Sequence, residues 1–384
     1  MVKRFFGVMA ILALAIAGFG CSVKSSVKGP GDSTGTATAA SDDQFKIGIM
    51  TGTVSQGEED FRAAQQVKAK YGSRVIAVTY PDNFMQEQET VIAQLTGLAA
   101  DPKVKVIIVG QAVPGSVTAA RKIREQRPDI LIGFIGPHED PDVVNTACDL
   151  AIQPDQITRG VTIVDEAAAM GAKNFVHYSF PRHMSQLLLA QRRDIMKQEC
   201  AKKGLKFYFV TATDPMAEGG LPAAQQFILE DVPRQLQRLG KDTAFYTTND
   251  GMQEPLIKAL VQAKAGYFVE QDVPAPTAGY PAALGLKIPP DKAGDMTWLN
   301  GEIKQHIATL GMSGHFGTWD QPVDMVSIRA FTNLLVDAVD KKADFKDSTT
   351  VRKYVETEAG GPVLLRKYDA KGNQWLVVLP HVVY

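Results

Sequence analysis

The side chains able to do chemistry in this 384-residue chain are spread singly over short loops, each following an apolar run. Thr53, Ser55 and Gln56 lie in the first such loop, Gln111 in a later one, and His138 and Glu139 in another. Ser179, Arg182, Thr213, Asp250 and Gln271 hold equivalent places further on. These hydroxyls, amides and charged groups suit non-covalent recognition of a small polar solute, although each taken alone is also a solvated loop residue or a helix cap. Capping is the direct rival role for Asp250, because a helix follows it.

Covalent and metal chemistry find less support. Gly52 and Gly57 have the spacing of a phosphate loop, but the Lys-Ser/Thr pair is missing. Glu58, Glu59 and Asp60 fill the first helical turn instead, where a phosphate would meet like charge. That loop suits a neutral hydroxyl-rich or amine-bearing group, while Arg182 and His183 suit a carboxylate. Ser55 is not in G-x-S-x-G, there is no HExxH or cysteine cluster, and His138-Glu139-Asp140-Pro141-Asp142 matches no metal-ligand spacing. Nothing calls for a cofactor. An exported enzyme working through His138 or His177 beside a carboxylate stands as an alternative. Phe84, Tyr178, Phe180 and Trp319 are either ring-stacking faces or core.

A scaffold must hold these loops. Residues 46–50 read as a strand, 51–57 as a polar loop, and the helix from Glu58 places Phe61, Ala64, Val67 and Tyr71 on one face. The unit repeats, with strands at 75–79, 104–109, 130–135, 150–152, 174–179, 206–211, 243–247 and 267–270. One long helix is expected from Met184 to Gly204, and Pro233 is expected to kink or restart another. Such alternation predicts an α/β protein of two parallel-sheet lobes, residues 45–155 and 156–272. From Val273-Pro274-Ala275-Pro276 the pattern loosens. Residues 273–384 are expected to cross back to the first lobe and add elements shared between lobes, including a helix at 325–339 and a hairpin turning at 369–373.

Lys3 and Arg4 precede an apolar run at residues 5–19, too short for the roughly twenty residues of a bilayer span. Gly20-Cys21 resembles the end of a bacterial lipobox, which implies a signal peptide at 1–20 and lipidation of Cys21. An ordinary secretory signal with an incidental cysteine remains open. Residues 21–44 read as a flexible tether spanning about 25 Å on average. Cys148 and Cys200 are expected to be buried free thiols. A net charge of −1 gives no sign of nucleic-acid binding.

The chain resembles the type I periplasmic binding proteins, on the ribose-binding and basic-membrane-lipoprotein side of the solute receptors of ABC importers. Lys46-Ile47-Gly48-Ile49-Met50 and its polar loop are similar to their first strand, and residues 88–109 to their second helix and third strand. Thr247-Thr248-Asn249-Asp250-Gly251-Met252 is similar to the Asn-Asp-x-Met segment of sugar-binding members, whose aspartate meets ligand hydroxyls. The resemblance covers residues 45–272 and implies two doubly wound lobes joined by crossing strands near Pro154, near Pro274 and towards the C-terminus. It further implies a monomeric, non-enzymatic receptor at the periplasm or cell surface, held to the membrane only by its lipid. This receptor would close on a sugar, nucleoside or amino-acid-like solute and deliver it to an ABC permease. A periplasmic sensor signalling to a membrane partner is the rival reading. A cytoplasmic repressor is disfavoured, because an export signal stands where a helix-turn-helix would be.

Overall fold

The computed structural model describes residues 44–384. The expected leader, the Cys21 lipidation site and almost all of the tether lie outside the described residues. The first lobe begins as a regular alternation of β1 (Lys46–Thr51), α1 (Val54–Tyr71), β2 (Val75–Thr79), α2 (Gln88–Ala100), β3 (Val104–Val109), α3 (Ser116–Gln126), β4 (Leu131–Ile135), α4 (Pro141–Val144) and β5 (Leu150–Pro154). In β3 every residue but Lys105 is buried, because helices cover both faces of the sheet.

The second lobe contains α5 (Gln156–Ala169), β6 (Asn174–Ser179), α6 (Pro181–Met184), α7 (Leu187–Lys202), β7 (Lys206–Thr211), α8 (Gly220–Leu239), β8 (Thr243–Thr247), α9 (Gln253–Ala263) and β9 (Tyr267–Glu270). It continues through α10 (Tyr280–Leu284), α11 (Met296–Thr309) and β10 (Phe316–Trp319). The chain then returns with α12 (Val323–Val339), α13 (Ser348–Ala359), β11 (Leu364–Lys367) and β12 (Gln374–Val378), and ends with β13 (His381–Val383).

One sheet runs in the order β11-β12-β5-β4-β3-β1-β2, the other β13-β10-β9-β8-β6-β7. Both are parallel except for one antiparallel edge strand each, β11 and β13. This is the expected α/β architecture of two doubly wound sheets. The chain passes between the sheets after β5, after β10 and between β12 and β13. The second passage therefore differs from the one expected near Pro274. After β9 the chain stays with the second sheet and builds β10 alongside it, Phe316 pairing with Phe268. Val273 touches the true passage, its carbonyl accepting from the Val323 amide at 3.2 Å.

Local chemistry explains the other departures. The long helix expected from Met184 is two helices, because Gln186 between them is extended (φ −81°, ψ 122°). Pro233 leaves α8 unbroken; it lies on the exposed face, where water serves the carbonyl it cannot pair. Helix α11 turns Met296, Leu299, Ile303 and Ile307 inward, and Asp295 caps it by accepting from the Trp298 amide. Helix α12 is buried nearly all round, since it lies between the first sheet, α1 and α13. Cys148 and Cys200 are buried free thiols, one in each lobe.

Strand β10 needs Gly317 because the carboxyl of Glu166 from α5 lies against it; an added Cβ would stand 2.1 Å from Glu166 Oε1. Glu166 is 1% exposed, and one oxygen accepts from Gln271 Nε2 at 2.9 Å. Burial raises its pKa from 4.5 to about 8, against a smaller opposing effect of that hydrogen bond. The folded state thus keeps a proton that the unfolded chain releases above pH 4.5, so stability falls as pH rises from about 4.5 to 8. Glu166→Gln, which mimics the protonated acid, is expected to match the parent at pH 4 and to exceed it by on the order of 3 kcal/mol at pH 8. Urea unfolding at the two pH values checks this; an equal difference at both would remove the proton linkage.

Candidate functional site

The loops at the carboxyl ends of the strands face one another across the two lobes, and their polar side chains are largely committed. Thr53 and Ser55 both donate to the Asp82 carboxylate, and Gln56 Nε2 donates to the Asp82 carbonyl at 3.0 Å. These bonds hold Asp82 below the usual carboxylate range. Gln111 has a left-handed backbone (φ 46°), and its Oε1 accepts from the Tyr80 hydroxyl at 3.1 Å. His138 is exposed, edge-on to the half-buried Phe84. Glu139 points the other way: it accepts from the Val117 amide at 2.9 Å and serves the start of α3 rather than the cleft.

In the second lobe, Ser179 is buried against Thr248 at 2.7 Å, and Thr248 Oγ1 lies 3.1 Å from His183 Nδ1. Arg182 forms a two-pronged ion pair with Asp214 at 2.9 and 2.8 Å, beside a half-buried Thr213, and lies over the Phe180 ring. Gln271, expected to meet ligand, is wholly buried; its amide bonds Glu166 and Thr162 of α5, so it points back into its own lobe. Tyr178, Phe180 and Trp319 are core residues, which leaves Phe84 as the rim aromatic among those four. The capping role considered for Asp250 belongs to Asn249, which accepts from the Gly251 amide.

Beneath the rim lie charged groups that the loop reading missed. Arg159 of α5 is fully enclosed; its Nη2 lies 3.0 Å from Asp272 Oδ1 and its guanidinium lies over the Trp319 ring. Arg192 of α7 lies over Tyr246, and both arginines donate to Gln156 Oε1. Asp250 keeps an open face to the cleft but is pressed against Asp272. Lost hydration and the Asp272 charge raise Asp250 well above the usual range. Desolvation acts on Asp272 too, yet Arg159 holds it below its ordinary value. Within the pair, ionisation is therefore favoured at Asp272, on the arginine side, over Asp250. Glu270 is buried next to them and is raised well above its ordinary value by burial and by Asp272.

The first lobe presents a different floor. Asp60 of α1 is 0% exposed and neither carboxyl oxygen has a partner among the described residues. Asp324, opening α12, is 3% exposed, and burial together with the Glu59 charge raises it to about 7. Asp60 is raised well above its usual range by burial, Asp324 and Glu59. Backbone geometry turns Asp60 inward. Gly57 is non-helical (φ −170°, ψ 81°), so regular helix starts after it and Asp60 swings beneath the loops. A cavity of about 440 Å³ adjoins this floor, lined by Glu58, Glu59 and Arg62, by Pro281, Ile288 and Met296 beyond β9, and by Met325 of α12. None of the loop residues predicted from sequence lines it.

His177 is enclosed by Phe207, Phe209 and Tyr246, and neither ring nitrogen has a partner among the described residues. Burial and the nearby Arg192 and Arg193 keep it neutral, well below its ordinary pKa. It therefore lacks the carboxylate that the enzymatic alternative requires of it. Among the described residues there is no acid, histidine or cysteine group fit for a metal ion. None of their helices is long and apolar enough to cross a membrane.

The family described as "Protein of unknown function (DUF3798)" matches residues 45–317. The chain belongs to the DUF3798 family. Two uncharacterized proteins of Treponema pallidum (strain Nichols) are similar to this DUF3798 chain. One is 36% identical over 190 residues, spanning 47% of this chain and 85% of the relative. The other is 36% identical over 168 residues, spanning 44% and 78%. A transcriptional regulator-like protein from Clostridium difficile 630 superposes with a TM-score of 0.82 at 24% identity, over 89% of this chain and 99% of its own. A sugar ABC transport substrate-binding protein from Bordetella parapertussis 12822 gives 0.51 at 11% identity, over 89% of each chain. A periplasmic solute-binding protein from Actinobacillus succinogenes 130z, solved with D-allose, gives 0.50 at 13% identity, over 78% and 93%. The fold is thus that of the type I periplasmic binding proteins.

The Arg159–Asp272 pair is open to direct measurement. Arg159→Met leaves a buried carboxylate without its closest cation and is expected to cost about 3–5 kcal/mol. Adding Asp272→Asn should recover part of that loss, because the orphaned charge is removed as well. Denaturant unfolding of the two single variants and the double variant reads the coupling; strict additivity would mean that the two side chains do not interact.

Proposed function

We propose that this DUF3798 protein is a receptor for a small polar solute of the sugar, nucleoside or amino-acid-like kind, captured between its lobes by hinge closure. The observation that carries the reading is the meeting of acidic groups from both lobes. Glu59 of the first lobe is close enough to Asp250 of the second for its charge to raise the Asp250 pKa further. Loop polar groups at the rim have partners, whereas the Asp60 carboxyl at the floor of the first lobe has none among the described residues. A solute entering there supplies the missing partners and draws the lobes together, which favours the closed state by its extra contacts. Three chain passages between the sheets give the hinge.

Transport is the favoured use. The fold is shared with a sugar ABC transport substrate-binding protein, and in this reading the DUF3798 chain hands its solute to an ABC permease. It does so outside the cytoplasmic membrane, at the periplasm or cell surface, as a monomer tethered through a lipid on Cys21. The neighbours in fold are binding proteins rather than enzymes, in keeping with binding without turnover. Sensing is the second reading, favoured by the TM-score of 0.82 with the regulator-like protein of Clostridium difficile 630. In that case occupancy of the same cleft is passed to a membrane signalling partner.

The test is a thermal screen of the full-length protein against a broad solute library, with mass spectrometry of small molecules retained through gentle purification. Ligand at a hundred times its dissociation constant adds about 2.7 kcal/mol. Asp250→Ala is expected to weaken binding of any hit at least tenfold while leaving the melting temperature of the free protein within a few degrees. An empty screen with nothing retained would sink the receptor reading.

A further inference from the structure

We propose that the solute carries a protonated amine, seated against Asp324 and Glu59 with the buried Asp60 behind them. This rests on the receptor reading and names the chemistry of its ligand. The enclosed Asp155 and the part-buried Asp272 and Glu358 have a cation beside them, Arg366, Arg159 and Arg329, and the buried Glu166 has at least the Gln271 amide. The acids of the first-lobe floor differ. Asp60 has no partner for either oxygen among the described residues. The influences on Asp60 and Asp324 are burial and other acids, with no lysine or arginine among them. The nearby Arg62 is turned to Glu58 and Gln65.

Shape agrees with charge. The Asp60 carboxyl fits between Gly57 and Gly110, where an added Cβ would stand 3.6 and 3.0 Å from Oδ2. Asp324 lies under Gly136, its nearest oxygen 3.5 Å from where a Cβ would be. Glycines at the ends of β3 and β4 thus leave room for carboxyls where the loops open. Glu59 borders the 440 Å³ cavity, whose other walls include the apolar Ile288, Met296 and Met325. A head group bearing positive charge fits the acids, and an uncharged body fits the cavity beside them. A bare metal ion does not: the described acids and histidines form no group able to ligate one. An ammonium asks less, since its donors need acceptors without a fixed coordination number.

The groups facing the seat are Glu59 and Asp60 from α1, Asp324 from α12, the Tyr80 hydroxyl after β2 and Asp250 from the second lobe. An ammonium placed among them favours their ionised forms, so binding near neutral pH releases protons.

Glucosamine, ethanolamine and putrescine are the probes, each compared with its neutral counterpart, glucose, ethylene glycol or 1,4-butanediol. Calorimetry on the full-length protein at pH 7, in phosphate and in Tris, reads affinity and proton release together. Amine probes are expected to bind at least tenfold more tightly than their counterparts, with proton release, and any solute retained through purification is expected to contain a protonatable amine. Asp324→Asn should abolish the tenfold preference; Asp60→Asn, a milder change behind the seat, provides the same readout if the first variant does not fold. Neutral solutes bound as tightly as amines, or a preference untouched by a folded variant, overturns the amine seat and leaves the receptor standing. No binding by any solute, neutral or charged, overturns both.

Discussion

A guanidinium without access to water constrains much of this fold. Arg159 cannot be enclosed without a counter-charge, and the structure supplies Asp272 at 3.0 Å and the Trp319 ring face. Each of the three comes from a different part of the hinge region. Arg159 lies one turn after the first passage between the sheets, Asp272 follows β9, and Trp319 ends β10 at the second passage. The third passage is tied in by a related pair, with Arg366 of β11 gripping Asp155 at 2.5 and 2.9 Å. Asp155 meanwhile caps α5 through the amides of Ile157 and Thr158. Charge pairs therefore tie together segments on either side of the places where the chain leaves one lobe and enters the other.

That arrangement gives the two sides of the cleft unequal character. In the second lobe Arg159 and Arg192 act on Asp272 and Glu270, holding Asp272 low while Asp250 beside it is raised. In the first lobe no comparable cation acts on Asp60 or Asp324, and burial together with neighbouring acids raises both. A folded protein tolerates such acids by keeping them protonated, at a cost that grows as pH rises towards and through their folded pKa values. The cost is maintained next to a cavity that Glu59 and Met325 line, between glycines that leave the carboxyls room. Buried polar groups without partners are rare in native structures, and a ligand site is one of the settings in which they persist.

The sheets and most helices were legible because strand and helix periods are properties of short stretches. The apolar run of β3 and the inward stripe of α2 carry their own geometry. Helix α11 was equally regular in its spacing, but the glycine and proline residues before it hid the signal. Strand β10 was hidden for another reason: its Gly317 is needed by a carboxyl 151 residues earlier, and no local pattern reports that contact. The site was less legible still. Polar loop residues look like ligand groups, yet Thr53, Ser55, Glu139 and Gln271 spend their hydrogen bonds on neighbours brought close only by folding. One signal was available in α5, where Arg159 stands four residues before the buried Ile163 and seven before the buried Glu166. Charged residues at core positions of an amphipathic helix point to partners elsewhere in the chain.

Asp60 shows what a search of the loops alone leaves out. Grouped with Glu58 and Glu59, it read as part of an exposed acidic turn that repels phosphate. All three follow the backbone break at Gly57, and the helix turn of about 100° per residue then separates them: Glu58 remains exposed and pairs with Arg62, Glu59 is half-buried at the cavity, and Asp60 is enclosed. Three consecutive acids thus acquire three environments within one helical turn. The exclusion of phosphate survives this change, because an anion seated there would force the enclosed acids to stay protonated and would find no cation among them. What the structure adds is direction, since these acids lie on the floor beneath the loop and no cation of the protein's own acts on Asp60 or Asp324. An incoming cation would then gain most where the solvent is least able to screen it.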